Sequence, residues 1–204
     1  VQIVTAAREL FSTRGIDVPL EEIAQLAGIG IATLYRRFPT RQALIEEIFI
    51  ERIELAASAA EEALGAADAW DGFCSYVVHL CQMQAEDCGL RDVLMMTFPA
   101  ARDLELARRN GHALSTRVIE RAQRAGTLRP DFSPEDLMYL LLANGTFVAA
   151  TETIDREAWL RYVALFLDGC RAGNPPLPTG PLTARQMYRA MSTLSAAGRR
   201  SRGE

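Results

Sequence analysis

The chain has 204 residues, 49% of them hydrophobic, and a net charge of −4. That length holds one mid-sized domain or two small ones around a sizeable core, and the apolar share excludes a mostly disordered chain. The acidic balance excludes a general nucleic-acid coat, so any basic patch has to be local. From the start, Ile3, Val4, Ala7, Leu10 and Phe11 recur at helical period and predict a helix to about Arg14, ended by Gly15. After the short link 16–18, Pro19 is expected as the first residue of a second helix, with Glu21 and Glu22 in its positive first turn. Leu20, Ile23, Leu26 and Ala27 share one face of it, and Ala24 is small where a neighbour would cross. Gly28 falls where the helix must end, and a residue without Cβ enters a left-handed cap at no steric cost.

A third helix follows to about Phe38, closed by Pro39. Small residue, turn glycine and buried aliphatic stand here at the spacing of a helix-turn-helix. The third helix presents Ala32, Thr33, Tyr35, Arg36 and Arg37, a short, hydrogen-bonding and cationic set that suits a DNA major groove. Between Gly28 and Ile45 the charged residues are Arg36, Arg37 and Arg41, with no acid, so the local patch is basic.

Thr40 is the expected cap of a long fourth helix, about 41–64, whose buried face is Leu44, Ile45, Ile48, Phe49 and Ile53. A break at 65–69 precedes a fifth helix, about 70–86, with Phe73, Val77, Leu80 and Cys81 inward. Gly89 is read as an interruption, 90–98 as a short sixth helix stopped by Pro99, and 101–125 as a seventh ended by Gly126, with Asn110-Gly111 a candidate break. Ser133, Pro134, Glu135 and Asp136 form a helix start, and the eighth helix runs to about Thr151. Its apolar stretch 137–150 is too short for a membrane span and is interrupted by Asn144 and Gly145. Asp155 is the expected cap of a ninth helix to about Arg171, with Trp159, Leu160, Val163, Phe166, Leu167 and Cys170 on one stripe. Residues 173–181 read as an extended link, 184–197 as a last helix and 199–204 as disordered.

No strand alternation stands out, so the fold is expected to be all-α, with about nine or ten helices. The expected division is a helix-turn-helix domain at 1–40, the fourth helix as connector, a regulatory and dimerisation domain at 41–173, and a tail at 174–204. Cys74, Cys81 and Cys88 recur every seven residues, which on one straight helix sets neighbours about 10 Å apart, too far for a disulfide. They read as buried thiols, with redox or metal sensing as the other reading. His79 and His112 lack a ligating residue one turn away, so no metal and no cofactor is expected. Sparse cysteines and no secretory start predict a cytoplasmic protein.

Ala6-Ala7-Arg8-Glu9-Leu10-Phe11, then Ile23-Ala24, Ala27-Gly28 and Thr33-Leu34-Tyr35-Arg36-Arg37-Phe38-Pro39-Thr40-Arg41 resemble the TetR family of bacterial transcriptional regulators. The resemblance covers about residues 4–49, and 119–137 resemble a body common among actinobacterial members. It implies a homodimer on a palindromic double-stranded operator and a small-molecule effector that changes the spacing of the heads and releases DNA. The last two body helices, about 134–151 and 156–171, would pair with those of the partner. The DNA-facing set it implies is Gly30, Ile31, Ala32, Thr33, Tyr35, Arg36, Arg37 and Arg41. Thr33 and Tyr35 would place hydroxyls on phosphates, Arg36 and Arg37 would reach phosphate or a guanine edge, and Arg41 the DNA backbone.

Three positions depart from the family pattern. Pro19, Gly30 and Ile31 stand where members often carry a hydroxyl, a serine and a basic residue. The expectation is weaker or more salt-sensitive operator binding, unless an arm ahead of Val1 compensates. For the effector, Trp70, Phe73, Val77, Met95, Met96, Phe98, Tyr139, Asn144 and Phe147 are pocket candidates, against the plainer reading that they are core. Gln82, Gln84, His112 and Asn144 are its candidate polar groups. Together these features predict a repressor released by a small, largely apolar ligand. A helical protein-interaction module with weakened or lost DNA binding is the alternative. An enzyme is disfavoured, because no Ser-His-Asp signature, paired-carboxylate motif or glycine-rich phosphate loop is present.

Overall fold

The computed structural model describes residues 2–96 and 98–201, and their side chains except those of Met95 and 194–201. Among the described residues there are ten helices and no strand, so the fold is all-α. They are α1 (Gln2–Arg14), α2 (Leu20–Leu26), α3 (Ile31–Arg37), α4 (Arg41–Gly65), α5 (Ala69–Glu86), α6 (Cys88–Met95), α7 (Arg102–Arg124), α8 (Pro134–Thr151), α9 (Ala158–Gly169) and α10 (Ala184–Ser201).

Two hydrophobic cores share α4. Its first half packs Leu44, Ile45, Ile48 and Phe49 against Phe11 of α1, Ile23 of α2 and Leu34 of α3, with Leu90 and Val93 of α6 on the same cluster. Phe11 and Phe49 stack with ring centroids 6.2 Å apart. The second half of α4 offers Ala57, Ala60 and Ala63 to a body core built from α5, α7, α8 and α9. Those alanines let helices approach closely: a Cβ on Gly72 of α5 would lie 2.5 Å from the Ala63 carbonyl oxygen. In the body, Phe73, Phe132 and Phe166 meet edge to face, at 5.5 and 6.2 Å.

Local chemistry sets most helix ends. Gly28 (φ 67°) lets α2 close with the Gly28 N–H on the Gln25 carbonyl and the Ile29 N–H on the Ala24 carbonyl, a Schellman motif. Gly126 (φ 70°) closes α7 by the same pair of bonds, to Gln123 and Ala122. Ser133 and Asp136 form a reciprocal capping box at the start of α8. Two arginines hold other ends together. Arg108 of α7 donates to the Val93 and Met96 carbonyls at the C-terminus of α6, at 2.6 and 2.7 Å. Arg121 donates to the Ala63 and Ala66 carbonyls at the end of α4.

Several elements differ from the sequence expectation. Pro19 is the N-cap of α2 rather than its first residue. Leu26 is 48% exposed, so the buried face of α2 is narrower. The break between α5 and α6 falls at Asp87, whose carboxylate caps α6 by accepting the Leu90 N–H. Gly89 lies inside α6 because the ring of Phe49 and the Phe11 carbonyl press on it: a Cβ would lie 2.6 Å from Phe49 Cζ. Cys88 therefore sits on a different helix from Cys74 and Cys81. Helix α7 runs unbroken through Asn110-Gly111, since burial of Leu104, Leu114 and Val118 outweighs the roughly 1 kcal/mol that an interior glycine costs. Asp155 caps no helix: its carboxylate accepts the Glu157 N–H in a turn, and α9 begins at Ala158. Of the α9 stripe, Leu160 points outward. Helix α10 extends to Ser201, across 199–201, which the sequence reads as disordered; 202–204 lie outside the described residues.

Candidate nucleic-acid interface and regulatory interior

Helix α3 is short and turns one residue fully inward. Leu34 is buried in the head core, Ile31 is half-buried, and Ala32, Thr33, Tyr35, Arg36 and Arg37 are exposed together. Arg36 and Arg37 occupy the last turn, where a cation complements the helix dipole. The Arg37 guanidinium lies 5.7 Å from the centroid of the Phe38 ring. Gly30 is the N-cap of α3 in an extended conformation, and no side chain caps that end. Arg14 of α1 pairs with Glu22 of α2 at 2.5 Å on the exposed surface of the head.

Arg41 is engaged by the backbone of the protein itself. Its Nη1 donates to the carbonyls of Ile16 and Val18, at 2.7 and 2.6 Å. The side chain is half-buried and braces the α1–α2 link, because those carbonyls have no helical partner and a guanidinium satisfies both. The exposed set on the head is thus Gly30, Ala32, Thr33, Tyr35, Arg36 and Arg37, with Ile31 at its edge.

The head meets the body at α6. Asp92 Oδ2 accepts the Ile16 N–H at 3.1 Å. Gly15, at φ 83°, makes that approach possible: a Cβ there would lie 2.5 Å from the same oxygen. Beside it is a cleft of about 330 Å³, lined by Thr13, Arg14, Cys88, Arg91, Asp92 and Glu152. The sequence reading missed this joint, and no spacing signals it, because its parts lie on α1, the link after it, α6 and the residue that follows α8.

The pocket candidates do not line one cavity. Trp70, Phe73 and Val77 are packed in the body core, with the Arg171 guanidinium 4.3 Å above the Trp70 ring. Phe98 belongs to the head core and Met96 packs against that cluster, while the side chain of Met95 lies outside the described residues. The Tyr139 hydroxyl accepts the Leu182 N–H at 2.8 Å and ties down the link ahead of α10. Phe147 is 37% exposed and stacks on Tyr162. A smaller cavity, about 140 Å³, lies between α4 and α5 and is lined by Arg52, Leu55, His79, Gln82, Met83 and Glu86.

Of the polar candidates, Gln82 bonds Glu86 at the surface and His112 is exposed. Gln84 and Asn144 are fully buried and meet across α5 and α8: Asn144 Nδ2 donates to Gln84 Oε1 at 3.1 Å and to the Cys81 carbonyl at 3.3 Å. Gln84 Nε2 and Asn144 Oδ1 have no partner among the described residues. An unsatisfied buried group of this kind costs about 1–3 kcal/mol. The four cysteines are free thiols, and burial pushes Cys74 up to about 11 and Cys81 and Cys170 up to about 12. Such thiols stay protonated at neutral pH and are poor nucleophiles. Among the described residues no group of three His, Cys, Asp or Glu could hold a metal, and no helix is long and apolar enough to cross a membrane.

A helix-turn-helix head with an exposed cationic helix, carried on a larger helical body, is the architecture of a DNA-binding transcriptional regulator. Residues 3–48 match the model for bacterial regulatory proteins of the tetR family, and 68–172 match the C-terminal domain of SbtR-like transcriptional regulators. The chain belongs to the TetR family. Among solved structures it is similar to a TetR regulator of Streptomyces coelicolor, at 27% identity over 85% of this chain and 98% of that one, with a TM-score of 0.55. A TetR regulator of Mycobacterium vanbaalenii is 28% identical over 84% and 93%, at 0.53. The regulator FadR of Bacillus subtilis, solved with stearoyl-CoA, shares the fold at 16% identity over 81% and 96%, at 0.61. No curated protein sequence matches the chain.

Proposed function

We propose that this regulator is a cytoplasmic homodimeric repressor that holds a palindromic operator through α3 and leaves it when a small, largely apolar effector enters the body. The exposed face of α3 carries the reading. Thr33 and Tyr35 offer hydroxyls that fix register on phosphates, while Arg36 and Arg37 offer charge for phosphate or guanine. Residues 1–40 would be the reading head, α4 the connector, 41–173 the regulatory body and 174–204 a tail.

Helices α8 and α9 support the dimer. Ala143, Thr146, Phe147 and Ala150 form an exposed stripe on α8, and Arg161, Ala164, Leu165 and Asp168 form one on α9. Leu165 is 64% exposed, and the small residues around it allow close helix approach. Coupling between body and head would run through α6, which Asp92 ties to the α1–α2 link and Arg108 ties to α7. That FadR of Bacillus subtilis was solved with stearoyl-CoA supports a body of this fold as the place for an effector.

A gel shift on the DNA upstream of the gene for this protein tests the reading. Retardation is expected at low salt and lost by moderate salt, because Pro19, Gly30 and Ile31 supply no hydroxyl or charge to phosphates and the complex starts out weak. Arg36→Ala is expected to weaken the complex by about 1–3 kcal/mol with little change in stability. No shift at low salt by a dimer would overturn operator binding and favour a helical protein-interaction module. Turnover of a candidate effector would point to an enzyme instead.

A further inference from the structure

Gln84 and Asn144 each use half of a fully buried amide and leave the other half idle. The orientation of Asn144 is set by its neighbour: reversing the amide would point its oxygen at the Cys81 carbonyl. What remains is a donor, Gln84 Nε2, and an acceptor, Asn144 Oδ1, on two amides joined by one hydrogen bond. That pair complements one pattern, an acceptor next to a donor on an uncharged molecule, since an ion carried into a neutral buried pair would lose its hydration without a counter-charge.

The surroundings supply an approach. A Cβ on Gly145 would lie 3.0 Å from Arg91 Cγ and 3.5 Å from Gln84 Nε2, so the stem of Arg91 and the idle donor flank the same bare backbone. Arg91 is also a wall of the 330 Å³ cleft at the head–body joint. Its flexible side chain therefore runs from the cleft to the backbone beside the amide pair. On the other side, one helical turn away, stand Leu80 and Cys81 of α5 and Leu140, Leu141 and Val148 of α8, all in the body core.

We propose that Gln84 and Asn144, reached from the cleft past Arg91, form a recognition site for a small neutral ligand that carries a carbonyl oxygen beside an N–H, as a lactam or carboxamide does. This rests on the reading that the body takes an effector, and it specifies the polar end of that effector. A lactam carbonyl accepts from Gln84 Nε2 while its N–H donates to Asn144 Oδ1. The apolar remainder lies toward the aliphatic side chains of the body core.

The test is titration of the whole DNA-free protein with pyrrolidinone, followed by NMR, with cyclopentanone as a probe of similar shape that accepts but cannot donate. Pyrrolidinone is expected to bind about tenfold more tightly than cyclopentanone, the value of one added buried hydrogen bond. The double variant Gln84→Leu with Asn144→Leu removes both partners at once, a change that leaves a core close to neutral in stability. It is expected to lose that preference and to bind both probes more weakly, since neither carbonyl then meets the Gln84 donor. Equal binding of the two probes, no binding of pyrrolidinone, or a preference that survives in the double variant each overturns the proposal. DNA is absent from the experiment. A failed titration on protein that still shifts its operator removes only this site, and a failed gel shift leaves the titration unaffected.

Discussion

In the head core, Phe11, Ile23, Leu34, Leu44 and Phe49 bury side chains that carry no polar atom, whereas the body core sets Tyr76, Ser115, Gln84 and Asn144 among its aliphatic and aromatic residues. The Tyr76 hydroxyl donates to Ser115 Oγ at 2.5 Å, and Ser115 donates its own proton to the Gly111 carbonyl; the amide pair is only half satisfied. The apolar packing of the five head side chains on α1 to α4 fixes a shape and, in the proposed function, leaves recognition to the outer face of α3. A core with idle polar atoms gains when a complementary molecule enters. In the proposed function the two halves of α4 thus belong to regions that would recognise on opposite sides, one outside and one within.

The largest expected effects test whether those regions are separable. Phe73→Ala in the body should cost about 3–5 kcal/mol and Leu34→Ala in the head about 2–5 kcal/mol, read by urea denaturation. Their effects on the operator should diverge. Leu34 is what seats α3, so its loss removes the gel shift even where the protein stays folded. The folded fraction of the Phe73 variant keeps its shift. Equal loss in both would mean that the head depends on the body core.

Arg41→Met comes next. If the guanidinium is a brace for the Ile16 and Val18 carbonyls, stability falls by about 1.5–3 kcal/mol, the range for hydrogen bonds made by a charged group. A residue that met DNA phosphates instead would leave stability alone and reduce the salt dependence of operator binding by about one unit of slope.

A smaller effect is expected at the link behind the body. Arg129 beside Asp131, helped by the Leu177 N–H, holds the Asp131 carboxyl at about 2, below its ordinary 3.8. A depressed folded-state value means that the stabilisation is fully present above the ordinary value and is lost as pH falls toward 2. Solvent screens this part-exposed pair, so the loss is modest. Asp131→Asn should flatten the stability of the protein between about pH 4 and 2; an unchanged acid limb would show that the pair contributes nothing.

What the sequence discloses depends on how far apart the partners lie. Gly15, Gly28, Gly126 and the Ser133-Pro134 start are legible because backbone conformation and capping are settled within a few residues. The exposed set on α3 is legible for the same reason, since one turn with Leu34 inward places Thr33, Tyr35, Arg36 and Arg37 outward. The joint is not legible: Ile16 meets Asp92 across 76 positions, and Asn144 meets Gln84 across 60. Gly89 reads as a helix break until the ring of Phe49 shows why a glycine has to stand inside α6. The pocket candidates share composition, and composition cannot tell a packed Trp70 from one that touches a ligand.

The smallest change bears on the outer face of α3. Gly30 caps that helix with φ −73° and ψ 146°, a conformation open to any residue, and a Cβ there would meet nothing within 4 Å. In Gly30→Ser the hydroxyl can accept an orphan N–H of the first turn, which favours the folded state by a few tenths of a kcal/mol. Turned outward, the same hydroxyl can donate to a phosphate at the end of the helix that favours anions. The expected result is a slight rise in melting temperature together with tighter operator binding at moderate salt. A rise in stability without tighter binding would place the N-terminus of α3 away from phosphates. The reading face would then lie further along the helix, with Tyr35, Arg36 and Arg37 alone.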